Sequence, residues 1–256
     1  MADMAEIPVV DYSGTMSKVY NTGRSLSLET LAWWADMAAE HLVVDSGVVC
    51  DLGAGTGRFA GTLADRLGRR VVAVEPSEAM RAQIAQPVGV TARVSVVAGR
   101  AEAVPLRAEC CALVWMSQAI HHVEDLDACG RELRRILIPG GQVLLRGLFE
   151  VRGSWVLAPY FPTATTLVEQ HFPSLDRIAE AFSQAALRLQ SHTQCPQAVA
   201  RDGHDLLART RLRADSALAR IPDDQFVEGL DRLGADVSAD AFQGPIVEMI
   251  DLVSFG

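Results

Sequence analysis

The chain lacks an excess of basic charge. Its 256 residues carry 23 Lys and Arg against 32 Asp and Glu, for a formal net charge of −9. A phosphate-backbone partner draws on a basic surface, so no nucleic acid is expected as partner. The local cluster Arg131, Arg134 and Arg135 lies among helical apolar residues and reads as a solvated face. Long apolar runs are also missing: none approaches the ~18–20 residues of a membrane span. The opening MADMAEIPVVDY has neither the basic stretch nor the apolar stretch of a secretory leader. A cytoplasmic protein with no membrane partner is the expectation.

Cysteine is scarce and unpatterned. Cys50, Cys110, Cys111, Cys129 and Cys195 form no CxxC pair and no zinc-like spacing. Cys50 lies within an apolar run, and Cys110 and Cys111 are adjacent, where a mutual bond is sterically awkward. Reduced, structural thiols are expected. The histidines, including His171, His192 and His204, show no ligand spacing, so no metal is expected. Internal repeats and low-complexity tracts are absent.

What is present is alternation. Short apolar runs at 48–52, 71–75, 94–97, 112–116 and 142–146 read as strands, and the segments between them carry helical spacing. Leu133, Ile136 and Leu137 mark a helix that stops at Ile138-Pro139-Gly140-Gly141. Leu28, Leu31, Ala35, Ala38 and Leu42 define an amphipathic helix ahead of the first strand; Trp33 and Trp34 on it cannot face the same way. This rhythm implies parallel βαβ units, hence an α/β doubly wound, Rossmann-like sheet. After about residue 148 the rhythm fails. Residues 149–175 are aromatic and Pro-containing without clean periodicity, a helix begins near Ser174, and 187–193 and 246–255 read as two last strands forming an antiparallel edge pair. The expected layout is one domain: cap helices over 1–45, a βαβ core over 46–148, a lid over 149–186, and edge strands with inserted helices over 187–256. Trp155, Tyr160, Phe161 and Phe172 of the lid would supply most substrate contacts.

The first strand ends in a glycine turn, DLGAGTGR (51–58). In open α/β sheets, ligands sit beyond the carboxyl ends of the strands. A dinucleotide fingerprint has GxGxxG spacing, but here the third glycine, Gly57, comes one residue early. Asp51 also opposes a nearby pyrophosphate, which makes a nicotinamide-dependent oxidoreductase a poor fit. A ligand with a cationic centre and no phosphate suits the turn better.

DLGAGTG resembles motif I of the class I S-adenosylmethionine (SAM)-dependent methyltransferases. The resemblance continues in order through VVAVEPSEAM (71–80), AGRAEAVPL (98–106), ALVWMSQAIHHVED (112–125) and RELRRILIPGGQVLLRG (131–147). It is nearest the ubiquinone/menaquinone C-methyltransferase-like branch, which includes small-molecule and natural-product enzymes of secondary metabolism. The resemblance implies a seven-stranded sheet and SAM as cofactor, with S-adenosylhomocysteine (SAH) as product. Gly53, Ala54, Gly55 and Gly57 would let the backbone approach the cofactor. Glu75, followed by Pro76 and Met80, would accept hydrogen bonds from the ribose hydroxyls, and Asp51 would favour the ammonium of the methionine moiety. Arg100 stands where the family commonly has an adenine-binding Asp, which shifts that role to Ala101 and Glu102. Ser117 and Gln118 would meet the methionine amino group. Arg24, in YSGTMSKVYNTGRS (12–25), would bind its carboxylate bidentately.

The resemblance makes His121 the candidate base, with His122 bonded locally. An acid that assists such a base in some relatives is Gly147 here, with Glu150 the nearest acid. The NPPY and DPPY tetrapeptides of nucleic-acid base methyltransferases are absent. The expected reaction is transfer of the SAM methyl to a small-molecule acceptor, foremost a hydroxyl of an aromatic or apolar metabolite. A homodimer is compatible with this reading. The alternative keeps the fold and the SAM site without methyl transfer, in a cyclase-like or binding role.

Overall fold

The structure is a computed structural model and describes residues 15–84, 92–149 and 154–256. The chain divides into two compact units, one of Met1–Ser25, Val151–Phe172 and Ala198–Glu248, the other of Leu26–Glu150, Pro173–Gln197 and Met249–Gly256.

The larger unit is built on a seven-stranded sheet of order β3-β2-β1-β4-β5-β7-β6. The strands are β1 (Val48–Leu52), β2 (Val71–Val74), β3 (Val94–Val97), β4 (Cys111–Ser117), β5 (Leu137–Gly147), β6 (Leu189–Ala200) and β7 (Ile246–Phe255). The first five are parallel, and β7 runs antiparallel to β5. Arg188 and Gly256 exchange backbone hydrogen bonds of 2.9 and 3.0 Å, the antiparallel pattern between β6 and β7. The expected mixed sheet with its antiparallel edge pair is therefore found.

Near-continuous apolar runs such as VVCDL arise because parallel strands are covered on both faces. On one face Cys50, Val114, Leu145 and Val253 pack with Leu133 and Ile136 of α5 (Leu126–Ile136) and Phe182 of α7 (Leu175–Gln184). On the other, Val49, Trp115, Leu144 and Leu252 pack with Trp34 and Ala38 of α2 (Leu28–Glu40) and Leu63 of α3 (Ala60–Leu67). Trp34 is fully buried and Trp33 is 39% exposed, so the pair does split. Side-chain caps start the helices: Ser27 accepts from Thr30 N at 3.1 Å and Asp125 from Ala128 N at 2.9 Å. A shorter helix, α4 (Glu78–Ile84), follows β2. All five cysteines are buried and free.

Three boundaries differ from the sequence reading. The turn at Ile138–Gly141 lies inside β5 as a bulge, where pairing jumps from Cys111↔Leu137 to Leu113↔Gln142; Gly140 takes φ +80° there, a conformation open to glycine. The sixth strand extends to Ala200, because its polar, exposed alternation carries no apolar run to mark it.

The third difference lies in the smaller unit, where the stretch read as aperiodic contains α6 (Pro162–His171), which starts on a proline and buries only Ala164, Thr165 and Val168. The smaller unit also holds α1 (Thr15–Gly23), α8 (Gly203–Arg211) and α9 (Asp223–Ser238). Its aromatic residues are mostly structural. Phe161 is 1% exposed and stacks on Phe226 at 5.8 Å, while Gly229 provides the space for its ring. The Tyr160 hydroxyl donates to Asp236 at 2.6 Å. The expectation that Phe161 contacts substrate is thereby corrected, since its ring is spent inside its own unit.

Candidate functional site

The ends of β1, β2 and β4 bring most of the expected residues together. After β1 the chain reverses over Gly53, Gly55 and Gly57, all left-handed with φ of +71°, +57° and +78°. Gly53 N and Ala54 N donate to Val74 O at 2.8 and 3.1 Å, fastening the turn to the end of β2. The three glycines serve different ends. A Cβ on Gly53 would lie 2.5 Å from Ala119 Cβ, and one on Gly57 would lie 2.8 Å from Ile84, so both positions are closed by packing. At Gly55 a Cβ would meet nothing within 4 Å among the described residues. That open space lies above the residue whose N–H bonds Glu75.

Glu75 follows β2 and is 7% exposed. Its Oε2 accepts from Gly55 N at 2.9 Å and its Oε1 from Ser77 N at 2.8 Å. Burial pushes its carboxyl up, and these two backbone donors partly restore it. Each oxygen keeps a further lone pair for an incoming hydroxyl. Pro76 is exposed, and Met80 on α4 is buried at 2%.

Asp51 is a strongly perturbed acid of this end. It is 2% exposed, and its Oδ2 meets no hydrogen-bond donor among the described residues. Burial pushes its carboxyl up to about 7; the Glu75 charge adds to the rise and Arg58 opposes it. Asp51 pairs in register with Trp115 on β4, whose indole N–H is likewise buried without a partner among the described residues. A buried carboxylate oxygen without a donor is costly, and a ligand bearing positive charge and N–H donors relieves that cost.

Beyond β3, Arg100 is an exposed ion-pairing residue, 2.9 Å from Glu124 and 3.6 Å from Glu102. Glu102 also accepts from Glu124 N at 2.8 Å, and Ala101 packs against the core. At the end of β4, the Ser117 hydroxyl accepts from Arg146 at 3.0 Å. Gln118 takes φ +56°, a strained setting for a non-glycine residue, while its N–H donates to Arg146 O at 2.7 Å. A short 3-10 turn, Ile120–His122, follows. Ile120 enters the core, His121 is half-buried and His122 exposed, with the two rings 4.0 Å apart. Arg24 lies in the smaller unit at the end of α1, where it pairs with Asp215 at 2.8 Å. Glu150 lies outside the described residues.

Three features escaped the sequence reading. Arg146 is 3% exposed near the end of β5, with its guanidinium 4.6 Å from the Trp34 ring and 5.5 Å from Phe59. A lone charge in the run QVLLRG was its only signal. Arg135, read as part of a solvated face, donates to Val104 O and Leu106 O as well as to Glu132. Asp251 on β7 pairs in register with Gly147 and holds His192 at 2.7 Å; nothing local in the sequence links residues so far apart. Among the described residues no group of three or more His, Cys, Asp or Glu could hold a metal ion. No helix among them is long and apolar enough to cross a membrane.

A seven-stranded, mostly parallel sheet with an antiparallel far edge and a glycine turn after β1 is the architecture of Rossmann-like methyltransferases. The comparisons agree. Residues 50–145 match the family described as a methyltransferase domain. The chain is 34% identical over 130 residues to the ubiquinone/menaquinone biosynthesis C-methyltransferase UbiE of Xylella fastidiosa (strain M23), covering 48% of this chain and 51% of that protein. It is 30% identical over 150 residues to the malonyl-[acyl-carrier protein] O-methyltransferase of Marinomonas sp. (strain MWYL1), covering 56% and 55%. The chain thus spans about half the length of the curated relatives it matches. A putative methyltransferase from an antibiotic biosynthesis pathway of Anabaena variabilis shares the fold, with a TM-score of 0.68, 24% identity, and coverage of 91% of this chain and 99% of that one. The class I, C-methyltransferase-like resemblance of the motifs is supported by these matches.

Proposed function

We propose that the chain is a SAM-dependent methyltransferase that methylates a small-molecule acceptor, foremost at a hydroxyl of an aromatic or apolar metabolite, and releases SAH. The observation that carries this reading is Asp51, a buried carboxylate with one oxygen lacking a donor among the described residues, beside a left-handed glycine turn where none of those residues fills the space over Gly55. SAM brings an ammonium and a sulfonium to such a place, whereas a dinucleotide brings a pyrophosphate.

SAM supplies the transferable methyl. Glu75 receives the ribose hydroxyls, and Asp51 the methionine ammonium beside Ser117 and Gln118. Gly53, Ala54, Gly55 and Gly57 form the backbone floor, while Pro76 and Met80 border it from the start of α4. Ala101 and Glu102 border the adenine end, with Arg100 held in its ion pairs at the rim. His121 takes the acceptor's proton and His122 supports it; such a base contributes on the order of 10²–10⁴ in rate.

Calorimetric titration with SAM, SAH and NAD tests the reading. Micromolar binding of the two sulfur compounds without binding of NAD is expected. Absence of binding by both SAM and SAH overturns it.

A further inference from the structure

Away from the cofactor residues, the sheet carries a second polar cluster. Asp251 is 1% exposed on β7, a cost that a strand interior does not ordinarily bear. Its carboxylate is fully engaged. Oδ1 lies 2.7 Å from His192 Nε2 and 3.4 Å from Gln194 Nε2, and Oδ2 accepts from Phe149 N at 2.9 Å. The His192 side chain remains 38% exposed. A carboxylate can only accept, so Nε2 carries the hydrogen, and in the neutral ring Nδ1 keeps the lone pair. The buried acid thus fixes the tautomer of a solvent-reachable imidazole, whose other nitrogen is a hydrogen-bond acceptor.

Its location gives this pair a role. Asp251 is in register with Gly147, the last residue of β5, and Gln118 N bonds Arg146 O one residue earlier. The pair therefore stands level with the carboxyl ends of β4 and β5, where ligands of open α/β sheets bind. In the order β4-β5-β7-β6, strand spacing places it about 10–14 Å from the end of β4. That is too far to serve the reacting atom and near enough for the other end of an elongated acceptor.

We propose that His192, held by Asp251, is a distal subsite that accepts a hydrogen bond from a second hydroxyl, remote from the methylated position, on an elongated acceptor. The role as acceptor subsite rests on the methyl-transfer reading. It makes the preferred substrates diols or diphenols of extended shape, recognised at both ends.

The test uses full-length protein loaded with SAH and two probes: biphenyl hydroxylated at one para position, and the same biphenyl hydroxylated at both. Calorimetry on the wild type is expected to show about tenfold tighter binding of the diphenol, the worth of one good hydrogen bond. In H192A the ratio falls to about one. In H192N, whose amide can donate to Asp251 and still accept, part of the preference returns. A wild-type ratio near one, a ratio unchanged in H192A, or no binding of the diphenol overturns the subsite. Failure of the protein to load SAH overturns the methyltransferase reading instead, so the two failures are told apart.

Discussion

The end of the sheet that we propose holds the cofactor and the sheet's far edge meet the same physical problem, a buried carboxylate, with opposite solutions. At the end of β1, Asp51 has an oxygen without a donor among the described residues and a carboxyl pushed up to about 7. On β7, Asp251 is just as buried, yet both its oxygens are bonded within the protein. The first acid is the one we propose a ligand satisfies. The second is satisfied already and passes its influence outward through His192. A buried acid by itself therefore says little; what distinguishes a binding group from a scaffold group is who supplies its donors.

The largest effect is expected between these two ends, at His121. H121A should lose about 10²–10⁴ in turnover while SAM affinity, read by calorimetry, stays within about threefold. Full activity of H121A across the pH range would remove the base assignment. Next comes E75A, which strips acceptors from Gly55 N and Ser77 N as well as from the ribose; SAM affinity should fall about 30–100-fold.

Asp51 sharpens the contrast with Asp251. Its folded pKa of about 7 lies above the ordinary 3.8, so the folded chain prefers it protonated. The stability tied to this group is full below the ordinary value and is lost as pH rises through about 7. A cationic ligand needs the ionised form, so SAM affinity should weaken about tenfold between about pH 8 and about pH 6. D51N should melt at a higher temperature than wild type at about pH 8 yet bind SAM about tenfold more weakly there. A D51N protein that melts lower at that pH would show the carboxylate to be scaffold. The smallest effect is expected at Arg100, whose exposed ion pairs contribute little; R100A should bind SAM within about twofold of wild type.

The end of β1 and β2 was legible as structure in the sequence because its signals are local. VVCDL and the glycine turn lie within a dozen residues, and Glu75 directly follows its strand. Parallel strands buried on both faces announce themselves as apolar runs. The far edge was harder for the complementary reason. β6 alternates polar and exposed residues, α6 buries only small residues and one valine, and the His192–Asp251 contact closes 59 residues of chain. Phe161 shows the limit of composition: its aromatic segment reads as a substrate surface, and only packing reveals a ring spent on Phe226. Arg135 shows the same for charge, since its fork holds two backbone carbonyls that no spacing rule announces.

The strand order has a consequence for how the chain is made. β7 comes last in sequence but lies between β5 and β6 in the sheet. β1 through β5, which carry the glycine turn, Asp51 and Glu75, are complete by Gly147, while β7 begins only at Ile246. Throughout synthesis of the intervening chain, β5 is an open edge, and such an edge invites pairing with foreign strands. The nascent half-sheet can thus assemble its cofactor end long before its outer border closes. Until Ile246–Phe255 is made, the border of the sheet is β5 itself.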